Sequence, residues 1–449
     1  MIMKTIALKI KQYIIPYITV LLTAVSTKYH WAMPPIIAGG LLSLIYIYMF
    51  PVSAIIIYLL GPPFVKSIVM TPSGVVAIAV LSITGAVSYL GFLKTHRFYI
   101  PRMHIFHISV IFLVIWTIIT LLWSPTPERG LGRLVTWIFV GILPMFLAYI
   151  MTIKQISFQQ LANNIIIFGS IFLFISLFAL LFKAFGPLER FAPIQDKVAY
   201  SRSIGLLFLL SVWLFDKHAK FKRIVVAFMI LGSLYFLVAA ATRLAFVVSI
   251  FFAVSYLLFI SRLNLITRIS IFIILILLII IVVPESYLMM RISTIRKGAE
   301  LSTTLHAYIW KSAFGNLDKI PLHGIGFGGF NLFLPQYLKY IQHPHINFLC
   351  YYIETGIIGL LIYLAVMLII PIRGILLYLK KRYRENNNTN TLYILEMGIL
   401  IWLYGFCAFF YDGFGSGSFE WIALGIIFGA IQLFTKNTLS NKSASEIYI

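Results

Sequence analysis

The stretch HPHINFLCYYIETGIIG, residues 343–359, puts two imidazoles, His343 and His345, just ahead of an apolar run that carries one acid, Glu354. Upstream, two arginines stand in similar surroundings: Arg202 in KVAYSRSIGLL and Arg243 in AAATRLAFVVS. Each type brings its own chemistry. An imidazole, with an unperturbed pKa of about 6.5, can accept a hydroxyl proton at neutral pH. A guanidinium stays charged and grips phosphate oxygens through two parallel hydrogen bonds. A carboxylate set in an apolar helix needs a partner, an arginine or a backbone donor. Two arginines converging at one face of an apolar phase would suit an anionic, membrane-embedded group.

The elements that must hold these residues are membrane helices. The chain has 449 residues, 61% hydrophobic and only 11% charged, with a mean hydropathy of +0.99. Runs such as Ile269 to Pro284 and Ile224 to Ala241, with their flanks, can cross a hydrocarbon core of ~30 Å as helices. The reading is an all-α polytopic membrane protein with about 12–14 transmembrane helices and one long loop. Either residues 34–70 make two passes, broken at Pro51, or one early segment does not span. The N-terminal apolar segment, with no small-residue cleavage site after its basic flank, reads as a retained first helix.

The net charge of +22 would suggest nucleic acid in a soluble protein, but here part of it follows topology, because cytoplasmic loops favour Lys and Arg. Clusters at Lys94/Arg97/Arg102, Lys217/Lys220/Lys222/Arg223, Arg262/Arg268 and Lys380/Lys381/Arg382/Arg384 fit that purpose. Arg129, Arg133, Arg190, Arg202, Arg243, Arg291 and Arg296 fall in the opposite loops, where topology gives no reason for them. The expected organisation is an N-terminal bundle over 1–284, a large extracytoplasmic loop over 285–345, and C-terminal helices with a cytoplasmic tail over 346–449. A loop of that size on a helical bundle is usually functional.

Each candidate has a plainer reading. Arg243 suits a snorkelling anchor, although its side of the membrane favours function. HGIGFGGF, residues 323–330, permits turns and close backbone approach but lacks the Lys-Ser/Thr of a P-loop, so a structural turn is the better reading. Gly356-x-x-Gly359 reads as small-residue helix packing. Cys350 and Cys407 read as small buried hydrophobes. His306, His323, His343 and His345 offer no i, i+4 pair, and acids are scarce, so no metal site is expected.

Several of these stretches together resemble the bacterial O-antigen ligase-like membrane proteins. HINFLCYYIETGIIG resembles that superfamily's signature: His345, nine residues from Asn347 to Thr355, then Gly356 and Gly359. The polar residue expected after the histidine is Ile346 here. Trp310 followed by PLHGIGFGGF (Pro321 to Phe330), TRLAFVVS at 242–249 and YSRS at 200–203 resemble its other segments in the same order. Where the family often carries a second arginine, four residues before the tryptophan, this chain has His306; Arg296 or Arg291 is its expected replacement.

The resemblance implies a metal-independent glycosyltransferase of the C type, without cofactor, in the bacterial inner membrane with its site facing the periplasm. Its donor would be a glycan on undecaprenyl pyrophosphate and its acceptor a lipid A–core hydroxyl, with membrane lipids around it and no nucleic acid. His345, Arg243 and Glu354 would form the catalytic set, and Arg202, Arg296, Arg291, His306 and His343 the substrate contacts. An O-antigen polymerase, joining lipid-linked repeats, is the rival within the superfamily. A lipid-linked oligosaccharide transporter is the rival of another class, although corresponding halves with paired broken helices, usual in transporters, are not evident.

Overall fold

The structure, a computed structural model, describes residues 44–60, 75–95, 104–154, 156–181, 197–217, 220–240, 242–282, 301–330, 346–382, 389–408 and 419–446. Among these there is no strand. The helices are α1 (Ser53–Leu60), α2 (Val75–Thr95), α3 (Ile105–Thr120), α4 (Pro127–Trp137), α5 (Leu143–Ile153), α6 (Phe158–Leu181), α7 (Lys197–Lys217) and α8 (Lys220–Ala239). They are followed by α9 (Arg243–Ser255), α10 (Leu265–Val282), α11 (Leu301–Phe314), α12 (Asn347–Arg382), α13 (Thr389–Ala408) and α14 (Phe419–Glu446). Among the described residues, 7 helices are long and apolar enough to cross a bilayer. Large apolar side chains such as Ile105, Phe228 and Phe259 stand on outward surfaces, where acyl chains rather than water would meet them. The protein is an all-α polytopic membrane protein. Ahead of α1, the chain is helical over 44–49 and turns at Pro51 and Val52, as the proline requires.

The chain divides into two compact units: residues 1–99 with 156–284, and residues 100–155 with 285–449. In the first unit α7 is the central helix. Every residue from Tyr200 to Leu214 is buried, and α1, α6, α8 and α9 pack around it. Its last turn is fixed by Asp216, which accepts hydrogen bonds from Tyr256 Oη at 2.7 Å, Ser261 Oγ at 3.1 Å and the Arg262 N–H at 3.1 Å. Lys217 pairs with the same carboxylate at 3.1 Å. A π turn over Tyr256–Ile260 brings that tyrosine and serine to the acid.

The second unit packs α14 against α5 and α13, and α12 against α3, α13 and α14. Residues 127–153 form one long apolar rod, with a π turn over Ile138–Ile142 just before Pro144. Proline has no N–H for the preceding turn, and the wider turn absorbs the loss. Outside the rods, α11 packs on the start of α12. Ile309, Ala313, Ile320 and Phe330 enclose Ile346, Leu349 and Ile353 in one apolar core. Ile346, where the family pattern has a polar residue, is part of that core and 6% exposed.

Candidate functional site

In the second unit, α12 breaks at Gly356, which has φ +72° and ψ −171°. A left-handed φ of this kind is open to glycine and strained for other residues. The break leaves carbonyls that α12 cannot satisfy itself, and neighbouring segments supply the donors. Ile325 N–H bonds to Ile353 O at 2.9 Å, and Gly326 N–H to Glu354 O at 3.1 Å. Trp116 Nε1 donates to Thr355 O at 2.8 Å. Past the break, Ile357 N–H bonds to Leu322 O at 3.0 Å. Gly356 lies so close to Leu322, His323 and Gly324 that a Cβ would collide with backbone. The expectation of two packing glycines is therefore met by Gly359, which faces Trp116, while Gly356 makes the break.

The HGIGFGGF segment is the turn that plugs this gap, as its plainer reading supposed. Gly324, Gly326 and Gly328 all have positive φ. Its far side is held at the junction of α3 and α4: Ser124 Oγ donates to Phe327 O and Thr126 Oγ1 to Gly328 O, both at 2.7 Å. Three segments distant in sequence thus share one backbone network.

A buried ion pair sits in this network. Glu354 is fully buried, and Arg133 Nη1 meets its Oε1 at 2.8 Å. Arg133 Nη2 reaches Cys350 Sγ at 3.4 Å, and that thiol faces Glu354 Oε2 at 3.5 Å. The guanidinium lies over the Phe327 ring, 4.8 Å from its centroid, where a cation is attracted to the ring face. The partner that Glu354 required is therefore an arginine from α4. The sequence placed Arg133 among arginines with no topological purpose but could not choose it, because the two residues are 221 positions apart.

Helix lengths locate this network relative to a bilayer. A span needs about 20 residues, or ~30 Å. The α3 rod, Ile105–Trp123, is 19 residues long and fits whole; Pro127–Ile153 has 27 and α12 has 36, more than one crossing needs. Counted back about 20 residues from their basic ends at Lys154 and Lys380, the two longer rods leave the hydrocarbon near Leu134 and Leu360. Trp123, Arg133 and Gly356 accordingly stand at one membrane boundary.

The remaining candidates divide by unit. Arg202 lies just over one turn into α7 and is only 8% exposed. Arg243 is the first residue of α9. Because α7 and α9 pack together and both begin at the end where α8 finishes, the two arginines belong to one end of the first unit. A helix start attracts anions through its free N–H groups and dipole, so an arginine there adds charge of the same sign. His306 is on α11. His343, His345, Arg291 and Arg296 lie outside the described residues, as do the side chains of Arg243 and His306. Among the described residues no group of three or more His, Cys, Asp or Glu is placed to hold a metal ion.

Fold and site together define a polytopic membrane protein with a charged, glycine-latched network at the bilayer boundary. Residues 226–364 match the O-antigen ligase family. That stretch runs from α8 into α12 and covers about a third of the chain, and it supports the resemblance to the O-antigen ligase-like superfamily. A comparison with curated proteins finds no match.

Proposed function

We propose that the protein is an O-antigen ligase of the bacterial inner membrane, with its site on the periplasmic side. It would transfer a glycan from undecaprenyl pyrophosphate to a hydroxyl of lipid A–core. The observation that carries this reading is the family match over residues 226–364, which takes in Arg243, His345 and Glu354 in one stretch. Arg202, buried within the membrane helix α7, supports it from outside that stretch, since a buried charge of that kind is costly and tends to be functional.

In the proposed reaction the acceptor oxygen attacks the anomeric carbon as the bond to the diphosphate breaks. The diphosphate leaves with the electron pair, and the acceptor proton passes to His345. One displacement inverts the anomeric configuration. Arg202 and Arg243 meet the charge that grows on the leaving group, the main catalytic requirement of such a step, and no metal is called for. Arg291, Arg296, His306 and His343 are assigned to substrate contact. Glu354 is buried against Arg133, so its part is to position the start of α12, two residues beyond His345.

The test is the lipopolysaccharide profile of a strain lacking the gene, complemented with wild type, Arg243→Ala or His345→Ala. The reading predicts bare core with glycan left on the carrier, restored by wild type and by neither variant at equal protein level. Core bearing a single repeat would instead make the protein a polymerase. An unchanged profile would sink both readings.

A further inference from the structure

We propose that His323 is a diphosphate-contacting residue of the donor site, held in place by Trp123. The proposal rests on the reading above for the identity of the donor. It starts from what the glycine turn presents. Within Pro321–Phe330, His323 is the one polar side chain, and it is exposed. Its backbone is fixed from both sides: Gly324 N–H bonds to Pro321 O at 2.8 Å and Ile357 N–H to Leu322 O at 3.0 Å. A side chain displayed on an over-determined backbone is pre-organised for a ligand, since little freedom is left to lose on binding.

The ring is also held. His323 and Trp123 meet edge to face, with centroids 5.3 Å apart and planes at 86°, and Trp116 meets Trp123 in the same manner at 6.2 Å. A tryptophan serving only as a membrane-interface anchor turns its N–H towards headgroups and water. Trp123 does the opposite: its Nε1 is buried without a hydrogen-bond partner. The indole is therefore committed to packing beneath His323.

The level of the residue selects the ligand. Trp123 and Gly356 mark the membrane boundary, and His323 touches both. A lipid-linked diphosphate must lie there, because its polyisoprenoid tail stays in the hydrocarbon while its charge stays out. Arg133, which lies over Phe327 of the same turn, is already engaged by Glu354 and Cys350. An imidazole always carries at least one ring N–H to donate, and phosphate oxygens accept it well. The same chemistry would also fit a bulk phospholipid headgroup, and the experiment separates the two.

Full-length wild type, His323→Ala, His323→Gln and Trp123→Phe would be reconstituted in phosphatidylglycerol-containing proteoliposomes. Transfer would be measured while donor and acceptor are varied separately. Bound undecaprenyl pyrophosphate and phosphatidylglycerol would be quantified by native mass spectrometry. His323→Ala should raise the donor KM about tenfold or more, the weight of one hydrogen bond to a charged group, with acceptor KM and melting temperature unchanged. It should lower bound undecaprenyl pyrophosphate but not phosphatidylglycerol. His323→Gln, which keeps an N–H donor, should recover part of the loss, and Trp123→Phe should fall between. Equal loss of both lipids, a shift in acceptor KM alone, or no shift would overturn the proposal. If wild type fails to transfer at all, the ligase reading falls, while the lipid-binding comparison still decides the role of His323.

Discussion

Each unit buries a carboxylate where a helix ends or breaks, and the two are supported differently. Asp216 closes α7 with four donors, three of them within a short stretch around the π turn and one from the neighbouring Lys217. Glu354 depends on one distant arginine and one thiol. Asp216 is a redundant cap: loss of one donor leaves three. Glu354 is a single long-range tie, which joins α4 to α12 beside the glycine turn, and removal of its arginine leaves a bare charge in a buried place. The first arrangement stabilises a helix end. The second makes the path of α12 depend on residues far away in sequence, as a site that must hold several segments in register requires.

Four variants would break or sharpen that contrast. The largest effect is expected from Arg133→Ala, which strands the Glu354 carboxylate; such losses cost about 3–5 kcal/mol. Thermal unfolding of the purified protein would show it, and a melting temperature within a degree of wild type would remove the ion pair from the account. Gly356→Ala comes next. It forces a left-handed φ on a side chain, worth about 1–3 kcal/mol, and drives a methyl into Leu322 and His323. Transfer should fall along with stability, and normal behaviour would mean the break is not needed. Tyr256→Phe removes one of the Asp216 donors and should cost only about 1 kcal/mol, with transfer retained; a loss comparable with Arg133→Ala would erase the distinction between cap and tie.

The smallest change in stability belongs to the double variant Arg133→Met with Glu354→Leu. Replacing both members of a buried pair by apolar residues is often neutral or better, so this protein should melt close to wild type. If the pair orders the start of α12 for chemistry, transfer should still drop, with kcat affected more than KM. Full activity in a stable double variant would show that the pair serves folding alone.

Much of the fold was legible beforehand because it follows from local chemistry. Apolar runs long enough for a bilayer must become helices, since no other backbone arrangement of such runs satisfies its hydrogen bonds there. The helix ahead of α1 ends before Pro51, one of the two readings the sequence left open, and three of the four glycines of HGIGFGGF took positive φ. Arg202 and Arg243 lie near the starts of α7 and α9, two helices that pack together within one unit.

Other features depended on partners that no local pattern names. The spacing of Gly356 and Gly359 looks the same whether both glycines pack or one breaks the helix, and only the approach of Leu322 and His323 decides. Ile346 departed from the family pattern for a reason visible only once α11 was packed on it. Glu354 announced that it needed a partner, because a buried carboxylate cannot stand alone, but several arginines were eligible. Thus the sequence by itself determined the class of fold, the places where helices must end and the presence of charge that demands compensation, all consequences of covalent chemistry and solvent. Tertiary structure alone decided that Arg133 answers Glu354, that the glycine turn fills the gap in α12, and that Trp123 backs His323, because these are meetings between segments whose separation along the chain carries no information about distance in space.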